Sequence, residues 1–276
     1  MTHRSPAGWQ EIGERIFVRR YELFDQTIGV VIGTEGTVVI DTRTSHRRAD
    51  ELINDLQSLT RLPTRFVVNT HMHYDHVFGN ARFRPVPIWG HARCAERLRE
   101  EGEARRQRVM LQAPELAEEL RDVEIVPPDR TLEESALLDL GDRQVELRYL
   151  GRGHTDNDIV VLVPDASVLF AGDLLENGAP PSFSDAFPID WATTGARLLE
   201  LVDGVVAPGH GDVADRGFAA RQVSELAELA DLSRAVVDHR LDPAEAVRRS
   251  PFPAATTQLG LERARQEIGA STHQVE

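Results

Sequence analysis

Four side chains that can bind a metal ion lie within one short segment of the sequence. The segment His71-Met-His-Tyr-Asp-His76 places three imidazoles and one carboxylate within six residues, directly after an apolar run. On an extended chain, His71, His73 and Asp75 would lie on one side. Because His76 follows Asp75 at once, we expect the chain to turn there and to present two sets of ligands. Imidazole nitrogen and carboxylate oxygen suit zinc, iron or manganese.

Three further candidate ligands each follow another predicted strand and stand beside glycine. They are His154, Asp173 and His210. Glycine allows the backbone to approach a neighbour closely, which favours a crowded site. A histidine at a strand end is usually only a turn residue. Together with the cluster at residues 71–76, however, the three predict a single metal centre.

The strands and helices predicted around these residues form two similar halves. Each half has a Val-rich hairpin that ends in aspartate, then a helix, then a Val-Val strand that leads to histidine. The corresponding segments are 30–41, 45–59 and 67–71 in the first half, and 160–173, 191–202 and 205–210 in the second. This repeat predicts two sheets packed face to face with helices outside. It would bring Asp41 to the same edge of the sandwich as the candidate ligands.

Charge and composition exclude several classes of protein. The chain of 276 residues is 41% hydrophobic, which is enough for a sizeable core. Its net charge of -14 disfavours a surface that follows nucleic-acid phosphates. The sequence contains no lysine, so all 31 basic residues are arginine, and Schiff-base chemistry on lysine is excluded. We therefore expect a small-molecule substrate and no nucleic-acid partner.

Cysteine usage and apolar runs point to an ordinary cytoplasmic protein. The single cysteine, Cys94, rules out an intramolecular disulfide, and we predict a buried, inert thiol on a helix. No apolar run approaches the length of a membrane span, and the first residues lack the apolar core of a signal peptide. The expected protein has no membrane partner and is a monomer or homodimer.

The ligand pattern resembles that of the metallo-β-lactamase superfamily over roughly Phe17 to Gly211. The resemblance implies an α+β fold, a four-layer αβ/βα sandwich of two mixed β-sheets with outer helices and the metal site at one edge. Residues 1–212 would form this domain, and residues 213–276 would form a helical extension packed on it. The complete set with aspartate at 173 is similar to the glyoxalase II type of site. It differs from β-lactamases with cysteine there and from flavodiiron proteins, which have glutamate in place of His73.

The resemblance also assigns roles to the candidate ligands. His71, His73 and His154 would hold the first metal, Asp75, His76 and His210 the second, and Asp173 would bridge the two. The expected cofactors are two zinc ions, with iron or manganese as alternatives. Asp41 matches a position that supports the ligands without binding metal. Such a carboxylate typically contributes about ten- to a hundredfold to metal affinity or activity.

By this resemblance the protein is a metal-dependent hydrolase. A metal-bridging hydroxide would attack a small acyl substrate, namely a thioester, an ester, a lactone or a β-lactam-like amide, and Asp75 would carry the proton. An iron-dependent sulfur dioxygenase and a phosphodiesterase or nuclease of the same superfamily are the alternatives. A metal-binding module without catalysis is a third, which the complete ligand set disfavours.

The substrate pocket is expected to border the loop after Asp173, because this loop leaves directly from a candidate ligand. Neighbours of the ligands and side chains of that loop are the candidates for its wall. They are Tyr74, Phe78, Glu176, Phe183, Phe187 and Trp191. For the aromatic side chains, packing into the core or of the following helix onto the sheet is an equal alternative.

Overall fold

We describe the chain from a computed structural model, which covers residues 8–272. Residues 1–7 and 273–276, which belong to the predicted segments 1–212 and 213–276, lie outside the described residues. The strands are β1 Gln10–Gly13, β2 Ile16–Tyr21, β3 Gln26–Ile32, β4 Thr37–Ile40, β5 Thr64–Val68, β6 Ile88–His91, β7 Arg130–Leu132, β8 Ser135–Asp139, β9 Gln144–Tyr149, β10 Ile159–Val163, β11 Val168–Glu176 and β12 Val205–His210. The α-helices are α1 His46–Leu59, α2 Tyr74–Val77, α3 Ala92–Gln112, α4 Ala117–Leu120, α5 Pro188–Leu201, α6 Arg216–Val237, α7 Pro243–Arg249 and α8 Ala254–Thr272.

The strand order confirms the predicted repeat. In the first half-sheet, β4 is antiparallel to β3 and parallel to β5. In the second half-sheet, β11 is antiparallel to β10 and parallel to β12 in the same way. The entry strands β2 and β9 pair antiparallel with β3 and β10. Between the two half-sheets the strand path runs from β3 to β12 through one residue pair, Gln26 and His210.

Alternation along the strands produces the four layers. Val31 of β3 points into a core that the two half-sheets share, together with Phe170 of β11. The neighbouring Val30 points the other way, into a core with Leu52 of α1. Residues of β11 and β12 such as Val206 pack on the opposite side against α5 and α6. The chain is therefore an α+β sandwich with helices on both outer faces.

The C-terminal helices lie against the second half-sheet. Val223, Leu226 and Leu229 of α6 share one hydrophobic core with Trp191 of α5. Helix α8 contacts α5 and α6, and its Glu267 accepts hydrogen bonds from the first backbone N–H groups of α5. The extension thus packs on the sandwich over the described residues, and the boundary at 212 and 213 stays a prediction.

The prediction of a buried Cys94 on a helix is confirmed, and Ser45 provides a helix cap. The Ser45 side chain accepts a hydrogen bond from the Arg48 backbone N–H and so caps α1. Cys94 is fully buried on α3, and burial raises the pKa of its thiol far above the ordinary value. Within residues 8–272, none of the helices has the length and apolar character that a membrane crossing requires.

Candidate metal centre

The histidine cluster bends and then turns. The chain leaves β5 at Val68, bends at residues 70–72, and enters the single-turn helix α2 at Tyr74 after an extended His73. The cluster is therefore not one extended segment, and the helix rotates Asp75 away from His71 and His73. The expected change of direction therefore occurs one residue before Asp75.

Seven candidate ligands converge at the sheet edge in two groups. His71, His73, His154 and Asp173 offer donor atoms that all lie within 4.8 Å of one another. Asp75, His76 and His210 form a second group by the same measure. The two groups match the division that the resemblance implied.

Asp173 lies between the two groups. Its Oδ2 atom is 3.4 Å from His154 Nε2 and 3.2 Å from His210 Nε2. Its Oδ1 atom is 3.4 Å from His76 Nε2. One carboxylate therefore faces imidazoles of both groups, which is the position of a bridging ligand.

Asp41 orients two of the ligands without facing the centre itself. Its Oδ2 atom is 2.8 Å from His76 Nδ1 and accepts a hydrogen bond from the Thr70 hydroxyl at 2.8 Å. Thr70 Oγ1 is in turn 3.1 Å from His71 Nδ1. With Nδ1 of His76 donating to Asp41, its Nε2 lone pair is directed at the second group.

Asp185 holds a third ligand, and the sequence did not identify it. Both of its carboxylate oxygens lie 3.0–3.1 Å from His73 Nε2. Arg105 on α3 donates to the same carboxylate at 3.2 Å. This arrangement leaves His73 Nδ1 to face the first group. Asp185 lies in the loop that was expected to border the pocket, but nothing in its spacing marks it as a partner of His73.

The donor atoms fit a pair of divalent cations. Nε2 of His76 and Nε2 of His210 are 3.2 Å apart, although their Nδ1 atoms already have oxygen partners in Asp41 and the Phe24 carbonyl. In neutral imidazoles with this orientation, the two Nε2 atoms direct their lone pairs at each other. A cation next to both atoms stabilises such a pair. Among the described residues, His71 Nε2 and Asp173 Oδ1 are buried without a hydrogen-bond partner. Nitrogen and carboxylate oxygen are donors that zinc accepts.

The pKa shifts vary among the candidate ligands. Burial lowers the pKa of His154 to about 4 and that of His71 well below its usual range, whereas at His73 the Asp185 carboxylate outweighs burial and raises the pKa. Burial also disfavours the charged form of His210, but Asp173 and Asp75 outweigh it and raise its pKa to about 10. Asp75 itself is buried, yet the nearby His76 and His210 lower its pKa to about 2. Its carboxylate is therefore ionised at neutral pH.

The centre forms the floor of an open cleft with a volume of about 630 Å³. Of the residues expected in its wall, Tyr74 and Glu176 line it, and burial raises the pKa of the Glu176 carboxyl to about 8. The cleft is otherwise lined mainly by α3 and by the loop after β11, through residues such as Arg105, Arg108, Ser182 and Asp185. The wall is therefore more polar than expected.

The other four expected wall residues lie elsewhere. Phe183 and Trp191 pack in the core beneath α5 and α6, where the Trp191 indole N–H donates to the Leu174 carbonyl. Phe78 is buried in a separate core against α3. Phe187 lies against the Arg152 guanidinium, 4.4 Å from its ring centre, and lines a smaller space that adjoins the cleft. None of the four is in the wall of the cleft itself, and Phe78, Phe183 and Trp191 stabilise the packing of helices.

Comparisons with known proteins agree with this geometry. Residues 21–210 match the family model described as metallo-beta-lactamase superfamily, and the chain belongs to that superfamily. It is 28% identical over 198 residues to a metallo-beta-lactamase type 2 of Bacillus cereus, and this alignment covers 69% of each chain. It is 30% identical over 261 residues to the human acyl-coenzyme A thioesterase MBLAC2, and this alignment covers 84% of this chain and 89% of the relative.

The fold is also that of solved metallo-beta-lactamase structures. The metallo-beta-lactamase from Pontibacter korlensis superposes with a TM-score of 0.64 at 22% identity and covers 79% of this chain and 98% of its own. TMB-1 superposes with the same TM-score at 21% identity, over 81% of this chain and 97% of its own. Together with the family match, these findings identify the protein as a metallohydrolase of the superfamily.

Proposed function

We propose that the protein hydrolyses an acyl thioester at a centre of two zinc ions. His71, His73 and His154 would hold the first ion, and Asp75, His76 and His210 the second. The observation that carries the proposal is the position of Asp173, which faces imidazoles of both groups at the floor of an open cleft. A carboxylate placed in this way suits two adjacent cations better than one.

Two kinds of relative bear on the bond that is cleaved. The relatives named acyl-coenzyme A thioesterase align over 63–84% of this chain, and those named metallo-beta-lactamase align over 66–69%. The two thioesterase alignments that reach 84% favour a thioester over a β-lactam amide. The donor set supports the same choice, because the only cysteine is buried on α3 and the centre holds nitrogen and oxygen donors alone.

Bound zinc ions would supply Lewis acidity, which lowers the pKa of water and polarises a carbonyl oxygen. The side chains of the protein have the remaining tasks. Asp41 and Asp185 fix the orientation of His76 and His73. The ionised Asp75 carboxylate lines the cleft and would accept a proton from the attacking water. The open cleft leaves room for both halves of a thioester.

The proposal is tested by elemental analysis of the purified protein together with a substrate panel. We expect two zinc ions per chain and turnover of a thioester above that of a lactone, a β-lactam and a bis-phosphate ester. One iron per chain with oxygen uptake on a persulfide would replace the proposal by a sulfur dioxygenase. Turnover of the phosphodiester alone would replace it by a phosphodiesterase.

The proposed location is the cytoplasm. The single cysteine is buried and forms no disulfide, as is usual for proteins of a reducing compartment. Fractionation of the native host followed by immunodetection tests this, and recovery in an extracytoplasmic fraction would contradict it.

A further inference from the structure

A groove lined by arginine adjoins the cleft above the metal centre. Its volume is about 260 Å³, and four arginines line it, namely Arg97, Arg105, Arg108 and Arg263. Arg105, Arg108 and Asp185 line both the groove and the cleft, so the two spaces adjoin. Two separate elements, α3 and α8, supply the arginines. A molecule whose reacting bond lies at the metal centre can therefore extend into the groove.

Two of the four guanidinium groups already have carboxylate partners. Arg97 donates to Asp156 at 2.9 Å and to Glu101 at 2.9 Å. Arg105 donates to Asp185, which also holds His73. Three carboxylates, those of Asp156, Glu101 and Asp185, therefore face these two guanidinium groups and outweigh their charge. Any net positive charge of the groove has to come from its other two arginines.

The positive charges of Arg108 and Arg263 are not balanced in this way. Arg263 donates to two neutral oxygens, the Ala186 carbonyl and the Gln266 side chain. Within residues 8–272, Arg108 makes no hydrogen bond or ion pair, and its side chain is exposed. In a chain with a net charge of -14, two uncompensated guanidinium groups beside the candidate active site form a local binding site for an anion.

The chemistry of the groove suits phosphate. Guanidinium groups bind phosphate oxygens through paired, charge-assisted hydrogen bonds, and this chain has no lysine to do so. Arg105 and Arg108 are three residues apart on α3 and so lie on one face of the helix. The groove therefore offers cationic side chains next to, but outside, the group of ligands that faces the reacting bond.

We propose that this groove binds the phosphate groups of the thiol half of the substrate, and that the substrate is an acyl thioester of a phosphorylated thiol such as coenzyme A. The inference rests on the proposed thioester hydrolysis. Water adds to the acyl carbon, the carbon–sulfur bond breaks, and a proton passes to the sulfur. The products are a carboxylic acid and the phosphorylated thiol, whose phosphates stay at Arg108 and Arg263 until release.

The test compares two thioesters with the same acyl group, one of coenzyme A and one of pantetheine, which lacks the phosphates. We expect a higher kcat/KM for the coenzyme A thioester, mainly because its KM is lower. Added salt should reduce this difference between the two thioesters. In the double variant R108Q/R263Q, the ratio of the two kcat/KM values should fall by about tenfold for each arginine. Because the readout is a ratio, a general loss of activity does not imitate the effect.

The matched control is R99Q/R265Q, which removes one exposed arginine from each of the same two helices, α3 and α8, outside the groove. This control should keep the ratio of the wild-type protein. Equal kcat/KM values for the two thioesters, or an unchanged ratio in R108Q/R263Q, would overturn the inference. If neither thioester is hydrolysed, the proposed thioesterase function is wrong. The proposed phosphate site in the groove is then tested by binding alone. Equal affinities for free coenzyme A and pantetheine in calorimetry then overturn it as well.

Discussion

The two half-sheets carry an aspartate at matching places, and the two aspartates have different surroundings. Asp41 follows β4, and its oxygens accept hydrogen bonds from Thr70 and contact His76 Nδ1. Asp173 lies within β11, and its Oδ1 atom has no hydrogen-bond partner among the described residues. Both are buried, with 1% and 5% exposure. The first aspartate orients ligands from behind, whereas the second is presented as a ligand itself.

The register of the strands explains the difference. The pairing of β11 with β12 shifts between Phe170 and Gly172, whereas that of β4 with β5 is regular from Val38 to Ile40. Gly172 has φ of 53° in the left-handed region, which costs glycine little. The irregularity carries Asp173 forward, into the space between the two ligand groups. A Cβ atom at Gly209 would lie 1.9 Å from Asp173 Oδ1, so glycine there keeps that space open.

The helices that follow the two aspartates also differ. Ser45, the residue next to α1, caps that helix locally. The start of α5 has no such cap. The backbone N–H groups of Ile189 and Asp190 donate instead to the side chain of Glu267 from α8. The loop before α5, residues 177–187, also supplies Asp185 to the metal centre. Backbone N–H groups at the start of α5 thus donate to a residue distant in sequence, whereas the Arg48 N–H of α1 donates to the neighbouring Ser45.

The largest expected effect is that of D173N. Replacing the carboxylate between the two groups by a neutral amide should reduce kcat by about a thousandfold, because a ligand facing both groups is lost. Metal content should fall in parallel. Steady-state kinetics with elemental analysis measures both. Full turnover with two bound metals would show that Asp173 does not bridge the groups.

A smaller loss is expected for D41N. An amide accepts through one oxygen only, so it cannot replace both Asp41 oxygens. Either the Thr70 backbone N–H, or the Thr70 hydroxyl together with His76 Nδ1, would lose its acceptor. Metal affinity or kcat should fall by about ten- to a hundredfold. Competition with a chromogenic chelator gives the affinity. A loss as large as that of D173N would contradict the division of roles between the two aspartates.

D185N sharpens the same comparison in the loop of the second half. The variant weakens the contact with His73 but leaves a side chain of the same size, so we expect about a tenfold loss in metal affinity or kcat, at the lower limit for such partners. S182A is the matched control, because Ser182 lines the cleft in the same loop and its hydrogen bond to Glu176 comes from the backbone N–H, which alanine keeps. Equal effects of D185N and S182A would mean that the loop, and not the carboxylate, matters.

The smallest effects concern the helix caps and are measured as stability. S45A should lower the free energy of unfolding by about 1 kcal/mol at every pH. Burial raises the pKa of Glu267 above its ordinary value of 4.5, so the folded state favours the neutral carboxyl. Stability should therefore fall as the pH rises from 4.5 through the raised pKa and then level off.

E267Q should remove this dependence on pH. Urea unfolding of the wild type, S45A and E267Q between pH 4 and 8 separates the two kinds of cap. A constant difference between E267Q and the wild type over that range would contradict the assignment to Glu267.

The sequence predicted those features of the candidate site that follow from the order and direction of the strands. Candidate ligands at strand ends, such as His71 and His210, are brought together by the repeat itself, so their convergence follows from the Val-rich hairpins. The extension of β11 to Glu176 and the contact between Asp185 and His73 were not predicted, because they depend on a loop without periodicity. The aromatic side chains of that loop were ambiguous for the same reason, since hydrophobicity alone does not distinguish a core from a cleft.

At the edge that carries the metal centre, the strand path passes from one half-sheet to the other at Gln26 and His210. Four of the candidate ligands belong to the first half of the chain, and His154, Asp173 and His210 belong to the second. Ions bound there would act as a cross-link between segments far apart in sequence. Removal of the metal by a chelator should therefore destabilise the protein as well as inactivate it. The melting temperature should depend on the concentration of free metal.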